Sequence, residues 1–98
     1  MRPKKTRWIK CSPSEQIFKP QGTQGLNSAI ILTLDEFEAV RLLDYTGLSQ
    51  VKAAQEMHVH RSTVSRIITC ARQKIARVLV EMLPLKIEGG CCKVIKGG

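Results

Sequence analysis

The feature that most constrains this chain is a long stretch of apolar residues at helical spacing near its C-terminal end. Counted from Val64, they recur at i+3, i+4, i+7, i+11, i+14, i+15 and i+18, which is the pattern of an amphipathic α-helix. Pro84 follows and cannot continue a helix, because it lacks a backbone N–H. The sequence therefore predicts a helix over residues 61–83. Its apolar positions are Val64, Ile67, Ile68, Ala71, Ile75, Val78, Leu79 and Met82.

A second helix is predicted earlier in the chain from its start and stop signals. Thr33 and Glu36 have the spacing of a capping box, in which each side chain accepts a hydrogen bond from the other residue's backbone. Gly47 is a typical residue just past a helix end, because glycine adopts positive φ without strain. These signals predict a helix over residues 34–46.

A third, short helix is predicted between these two. Ser49 is a favourable N-cap, and the helix that it starts is expected over residues 50–57. Short extended pieces are predicted at residues 7–10 and 85–87, and residues 91–95 form either a further strand or a loose end.

The segment 50–69 has the residue pattern of a helix-turn-helix. Ala54 is small enough for the two helices to cross closely above it. The residue that opens the turn usually has positive φ, and here it is His58, which belongs to a residue type enriched in that conformation. The apolar anchors that this motif requires under the turn and in its second helix are Met57, Val59, Val64 and Ile67.

Polar residues near residue 61 are the candidates for contact with DNA. The second helix of such a motif enters the major groove by its N-terminal turns, where hydroxyl and guanidinium groups reach base edges. The alternatives are that the hydroxyl residues only start the helix and that Arg66 is an ordinary surface arginine. The candidates are Ser62, Arg66 and Thr69 opposite Val64, Ser65 and Thr63 on the flanks, and His60 and Arg61 at the start.

The charge of the chain favours a polyanionic partner. Its 98 residues carry a formal net charge of +8, which suits nucleic acid, with an anionic membrane surface as the rival and a merely solvated surface as the plain alternative. Basic segments at residues 1–22 and 58–84 flank an acidic segment at 23–57. The residues predicted to hold phosphates are Arg61, Lys52, Arg72 and the arm residues Lys4, Lys5 and Arg7.

These patterns together resemble a family of small, uncharacterised prokaryotic proteins predicted to bind DNA, with a helix-turn-helix similar to region 4 of sigma-70 factors. The resemblance covers residues 32–90 and, more weakly, the basic arm before FKPQG at 18–22. Two histidines, His58 and His60, replace the commoner glycine and serine of the family. The matching pieces are TLDEFEA at 33–39, GLSQ at 47–50, RSTVSR at 61–66 and IEGG at 87–90.

The expected fold is mainly α. We expect a basic extended N-terminal arm at residues 1–28, a three-helix helix-turn-helix domain at 29–84, and a C-terminal extended tail with a short strand at 85–98. The resemblance implies a sigma-70 region 4-like domain of winged-helix-like size. Aromatic residues make up only 4% of the chain, so its core is expected to be aliphatic.

The expected function is sequence-specific binding of duplex DNA by a regulator of transcription. The alternatives are a protein-interaction module that docks on RNA polymerase or another regulator, and RNA binding through the basic arm. A homodimer is also expected, because one short recognition helix gives limited specificity, and Val80, on the polar side of its helix, marks a candidate contact.

No enzyme activity, cofactor or membrane association is expected. Neither a glycine-rich phosphate loop nor a Ser/His/Asp group can be placed. No apolar run is long enough for a transmembrane helix, and the basic N-terminus lacks the apolar stretch of a signal peptide, so we expect a cytoplasmic protein. Its four cysteines are then expected to be reduced, in preference to a redox switch or a metal site built from Cys11, His58 or His60 and the tail.

Overall fold

The computed structural model of the protein describes residues 7–9, 17–20, 29–89 and 92–94. This described part is mainly helical and also contains short strands. In chain order its elements are β1 (Arg7–Ile9), β2 (Ile17–Phe18), β3 (Ile30–Leu32), α1 (Leu34–Val40), a π-helical turn (Arg41–Tyr45), α2 (Gln50–Met57), α3 (Arg61–Glu81), β4 (Leu85–Ile87) and β5 (Cys92–Val94).

Helix α1 begins where its capping box predicts. The backbone N–H of Thr33 donates to Glu36 Oε1 at 2.9 Å, and the hydroxyl of Thr33 donates to Asp35. Because the first bond occupies a backbone donor at the helix start and the second holds the Thr33 side chain beside Asp35, they fix the direction in which the chain enters α1.

The helix predicted over residues 34–46 is present as far as Tyr45, but its second half is not α-helical. The α-helical part ends at Val40, and a π-helical turn follows, in which the N–H of Thr46 donates to the carbonyl of Arg41 at 2.8 Å. The wider turn leaves Leu42 in the core and Tyr45 on the surface, 3% and 87% exposed. A glycine then leaves the turn at positive φ, as the sequence predicts: Gly47 has φ 85°.

Helix α2 has the predicted bounds. Ser49 Oγ accepts a hydrogen bond from the backbone N–H of Lys52 at 3.2 Å, so the predicted N-cap is confirmed. The helix ends at His58, whose φ of 57° and ψ of 45° are left-handed. The positive φ expected for the residue that opens the turn is therefore confirmed.

Helix α3 starts at Arg61 as predicted and ends slightly earlier than predicted. Met82 has φ 54° and ψ 50°, so the left-handed residue that closes the helix comes two residues before Pro84. Pro84 itself is buried. The proline therefore lies beyond the helix end, and the backbone has already turned toward β4 when it reaches this residue.

The short strands pair segments that precede α1 with segments that follow α3. β4, a predicted strand, pairs with β3 in parallel and with β2 antiparallel, and Ile31 lies opposite Lys86. β1, also predicted, pairs in parallel with β5. The described part of the predicted N-terminal arm is therefore extended but is held in sheets, because its backbone groups pair with strands that follow α3.

The core lies between α1, α2 and the first half of α3, with a smaller cluster between α3 and the sheet. Burial of these aliphatic side chains is the main source of stability in a domain of this size. Among the described residues, no helix is both long enough and apolar enough to cross a membrane. The larger cluster consists of Ala39, Leu42, Ala53, Ala54, Met57, Val64, Ile67 and Ile68, and the smaller one of Leu32, Ala71 and Ile87.

Candidate nucleic-acid interface

Buried side chains and one aromatic stack hold α2, α3 and the turn between them in place. Met57 and Val64 are completely buried and Ala54 is nearly so. The indole of Trp8 stacks on the imidazole of His58 with ring centroids 3.5 Å apart and 30° between the ring planes. Strand β1 therefore supports the one residue of the turn whose backbone is left-handed.

One side of the first turns of α3 faces solvent with polar groups. Arg61, Ser62 and Arg66 are exposed, Ser65 is half-buried, and these four residues line a groove of about 320 Å³. On the opposite side of the same turns, Val64 lies in the core. The structure thus brings together four of the residues predicted to contact DNA.

The remaining candidates on or next to α3 do not line this groove. His60 is exposed at the N-cap, and its carbonyl accepts hydrogen bonds from the N–H groups of Thr63 and Val64 at 3.0 and 3.2 Å. Thr63 is half-buried, which leaves its side chain less accessible than that of Ser62. Thr69 is exposed, and its hydroxyl donates to the carbonyl of Ser65 at 2.8 Å, so its oxygen can still accept a bond from outside.

A second cleft, of about 410 Å³, lies beside the turn. Arg61 borders both this cleft and the groove on α3, so it stands between the two concave surfaces. Lys52 is exposed on α2. The cleft is lined by Val51, Ala54, Gln55, His58, Val59, His60 and Arg61.

The arginines of α3 differ in whether an acid neutralises them. Arg72 holds Asp44 with both arms of its guanidinium, at 2.7 Å from Nη2 to Oδ1 and 3.2 Å from Nε to Oδ2. This hydrogen-bonded pair lowers the pKa of Asp44 and raises that of Arg72. Arg77 lies 3.3 Å from Glu81. In the part of the chain that the structure describes, Arg61 and Arg66 have no such acidic neighbour.

Arg72 and Arg7, both predicted to hold phosphates, each lie beside an acidic residue. Asp44 engages Nε and Nη2 of Arg72 and offsets its charge, so a phosphate would compete with Asp44 for this guanidinium. Arg7 lies on β1 with its Nε 3.4 Å from Asp35 Oδ2, and both side chains are only 12% exposed. The cause in each case is an acid brought close by the fold. The other two arm residues, Lys4 and Lys5, lie outside the described residues.

A network around Glu36 neutralises a further basic residue of α3. Lys74 Nζ donates to Glu36 Oε1 and to the carbonyl of Ile31, both at 2.8 Å. Burial raises the pKa of Glu36, but hydrogen bonds from Lys74, Thr33 and Cys70 outweigh it, so the pKa lies below its ordinary value. The same bond to Glu36, together with burial, raises the pKa of the Cys70 thiol.

This network and the stacking of Trp8 on His58 were not predicted from the sequence. Glu36 and Lys74 are 38 residues apart, and Asp44 and Arg72 are 28 apart. Only local spacing can be read from a single sequence, so neither pair leaves a signal in it. The cation of Lys74 is placed in an internal network and not on the polar face of α3.

The sequence comparisons place the chain in one family. The profile of the family described as "Protein of unknown function DUF134" matches residues 1–95, so the chain belongs to this family. It is 53% identical over 90 residues to a UPF0251 protein of Syntrophobacter fumaroxidans, which covers 91% of this chain and 58% of that protein. It is 47% identical over 94 residues to a UPF0251 protein of Caldanaerobacter subterraneus, covering 95% of this chain and 80% of the relative.

These relatives establish kinship across most of the chain, and they come from prokaryotes. The chain spans just over half the length of the Syntrophobacter protein. No solved structure matches the chain at a significant level.

Proposed function

We propose that α2, the turn and α3 form a helix-turn-helix, similar to region 4 of sigma-70 factors, that binds duplex DNA and serves transcriptional regulation. The observation that carries the proposal is the contrast between the two sides of the first turns of α3. One side is buried through Val64, Ile67 and Ile68, while the other presents Ser62 and Arg66 to solvent. A helix supported in this way suits the B-DNA major groove, which admits one α-helix.

The distribution of charge along α3 also supports DNA binding by its first turns. Arg61 and Arg66, the arginines without an acidic partner in the described chain, lie on the turns that would enter the groove. Lys74, Arg72 and Arg77, further along, are all paired with acids. Cations that are not already neutralised gain most from phosphates and base edges, because they give up no existing pair on binding.

The roles of the individual residues follow from their positions. Arg66, with a fork of donors that matches guanine O6 and N7, reads a base together with Ser62, and Ser65 and His60 stand close enough to assist. Arg61 and Lys52 hold phosphates on either side of the turn. Arg72 is not assigned a contact with DNA in this proposal, because its guanidinium is paired with Asp44. The proposal includes no catalytic step.

The test is DNA binding by fluorescence anisotropy. A duplex selected from a random library by the wild-type protein is compared with a scrambled duplex over a series of salt concentrations, for the wild type and for Arg66→Ala. Arg77→Ala is the matched control, because it removes the same charge from the same helix, 11 residues further along. We expect Arg66→Ala to cost about 1–3 kcal/mol on the selected duplex and to reduce the preference for it, and Arg77→Ala to do neither.

Three results would contradict parts of this proposal. Equal losses for Arg66→Ala and Arg77→Ala would show that charge alone, and not base reading, drives binding. Salt-sensitive binding without any preference for the selected duplex would leave only a binder of the DNA backbone. Absence of binding at low salt would overturn the DNA proposal and favour docking on RNA polymerase or another regulator through the same fold.

A further inference from the structure

An exposed ion pair joins the π-helical turn to the side of α3. The guanidinium of Arg72 donates to the carboxylate of Asp44 through Nη2, at 2.7 Å, and through Nε, at 3.2 Å. The two side chains are 55% and 40% exposed, so solvent and ligands can reach both of them. Exposed ion pairs contribute little to the stability of a fold, and the protein can therefore open this pair without unfolding.

Arg72 lies on the same side of α3 as two residues of the groove. Arg61 and Ser65 line that groove, and Arg72 follows them at intervals that bring the three side chains within about 40° of one another around the helix axis. Along the axis, Arg72 is about 10 Å beyond Ser65. Because the major groove is about 12 Å wide, a side chain at this distance from the turns inside it lies at the level of the flanking phosphates.

Asp44 offers Arg72 the same kind of partner that a phosphate would offer. Carboxylates and phosphates both present two oxygens that match the fork of a guanidinium. The turn that carries Asp44 is anchored to the core, since the N–H of Leu48 donates to the carbonyl of Leu42 at 2.9 Å and Leu42 is buried. The carboxylate therefore stands beside Arg72 before any DNA arrives.

We propose that Asp44 competes with DNA phosphates for Arg72 and thereby limits the affinity of the protein for duplex DNA. This inference rests on the proposed function and adds to it a residue that does not itself touch DNA. Phosphate contacts carry no sequence information, so the contact that Asp44 withholds would strengthen binding to every duplex alike. Asp44 therefore controls how tightly the DNA backbone is held, and Arg66 and Ser62 control which sequence is chosen.

The test compares the wild type with Asp44→Asn by fluorescence anisotropy, on the selected and the scrambled duplex, over a series of salt concentrations. The amide keeps the shape of the side chain and removes its charge, which leaves Arg72 available to phosphate. We expect Asp44→Asn to bind both duplexes more tightly and by the same factor. One additional phosphate contact steepens the slope of log affinity against log salt by about 0.9, so the gain is expected to grow about threefold between 200 and 50 mM salt.

Two controls separate the release of Arg72 from a change in net charge. The double variant Asp44→Asn/Arg72→Ala has the net charge of the wild type and is expected to return both the affinity and the salt slope to wild-type values. Glu81→Gln removes the same charge as Asp44→Asn and frees Arg77, whose Nε is 3.3 Å from Glu81 Oε2. Arg77 lies five residues further from the groove, so this variant is expected to leave the slope unchanged. Far-UV circular dichroism checks that each variant keeps its helical content.

The inference is overturned if Asp44→Asn leaves the affinity and the salt slope unchanged, or if it weakens binding, since Asp44 would then position Arg72 on DNA instead of competing for it. It is also overturned if the gain persists without the Arg72 side chain or appears equally in Glu81→Gln. In all these cases the wild type still binds the selected duplex, so the proposed function stands. If neither the wild type nor any variant binds DNA at low salt, both proposals fail.

Discussion

The two halves of α3 share one apolar pattern and use it differently. In residues 61–71, Val64, Ile67, Ile68 and Ala71 are buried, and the arginines on the polar side have no acidic partner in the described chain. In residues 72–81 the pattern continues, but its apolar side chains are half-buried or exposed and its basic residues are held by acids. The first half is therefore covered by other described parts of the chain, while the second half leaves most of its apolar side chains in contact with solvent.

The difference arises from what packs against each half. Helices α1 and α2 and strand β3 cover the start and middle of α3, and the core clusters include no residue of α3 beyond Ala71. Burial of apolar area yields free energy only where a neighbour removes that area from water. An amphipathic pattern thus shows which side of a helix is apolar, but not whether the protein itself covers that side.

The strongest test of this comparison is a pair of truncations in the two halves. Ile68 is 1% exposed and Leu79 is 69% exposed. Ile68→Ala is expected to lower the free energy of unfolding by about 2–5 kcal/mol, because it leaves a cavity in the core. Leu79→Ala, which removes a side chain of similar size, is expected to change it by less than about 0.5 kcal/mol.

Urea denaturation at a protein concentration at which the chain is monomeric measures both values. Similar losses for the two variants would contradict the division of α3 into a covered and an uncovered half. A small loss for Ile68→Ala alone would show that the cluster around Val64 and Met57 does not hold the helices together.

A second test concerns the network that joins the middle of α3 to α1. The hydrogen bonds from Lys74, Thr33 and Cys70 outweigh burial and lower the pKa of Glu36 in the folded protein. The stabilisation from this carboxylate is therefore present above the ordinary pKa of about 4.5 and is lost as the pH falls through the lowered value. Glu36→Gln is expected to reduce the stability at neutral pH by about 1–3 kcal/mol and to flatten its fall in acid.

The measurement is the urea midpoint as a function of pH, with Asp44→Asn as the matched control. Asp44 also has a lowered pKa, but its bond to Arg72 is exposed to solvent, so the control is expected to produce the smaller change. If Glu36→Gln keeps the pH dependence of the wild type, then the network does not contribute to acid stability.

The smallest change in stability is expected from substitutions at the two left-handed residues, one before α3 and one after it. His58 and Met82 have φ of 57° and 54°. Met82→Gly is expected to stabilise the protein by about 0.5–1 kcal/mol, since glycine adopts this conformation without steric cost. His58→Gly gains the same relief but loses the stacking on Trp8, so its net effect is expected to be smaller, within about 0.5 kcal/mol.

Thermal unfolding followed by circular dichroism compares the two variants, and the double variant Trp8→Ala/His58→Gly serves as the control for the stack. If the stack supports the turn, adding Trp8→Ala to His58→Gly costs less than Trp8→Ala alone. A larger gain from His58→Gly than from Met82→Gly would contradict a stabilising role for the Trp8 stack.

Much of the helical framework can be predicted from local sequence. The capping box at Thr33, the N-cap Ser49 and the left-handed His58 all act within a few residues of themselves, and each is confirmed. The π-helical turn after Val40 is not predicted, because a bond from residue 46 to residue 41 leaves no signature in the apolar spacing. Strand β3 is not predicted, because its partner β4 follows only after α3 in the sequence.

In the candidate site, too, local features can be predicted from the sequence and contacts between distant residues cannot. The residues of the groove on α3, from Arg61 to Arg66, follow one another closely, so helical spacing alone places them on one side. The separation of those arginines from Arg72 does not follow from spacing, since it depends on Asp44, which is 28 residues away. A single sequence records the charge of a side chain but not which distant charge the fold will bring beside it.

The sequence by itself determined where the helices begin, which side of each is apolar, and which polar residues stand together at the start of α3. These are local properties, fixed by hydrogen bonds and side-chain directions within one or two turns. Only the tertiary structure decided that α3 is covered as far as Ala71, that Lys74 and Arg72 are neutralised, and that β1 supports His58. These outcomes depend on contacts between distant segments, where burial and charge pairing act only after the chain has folded.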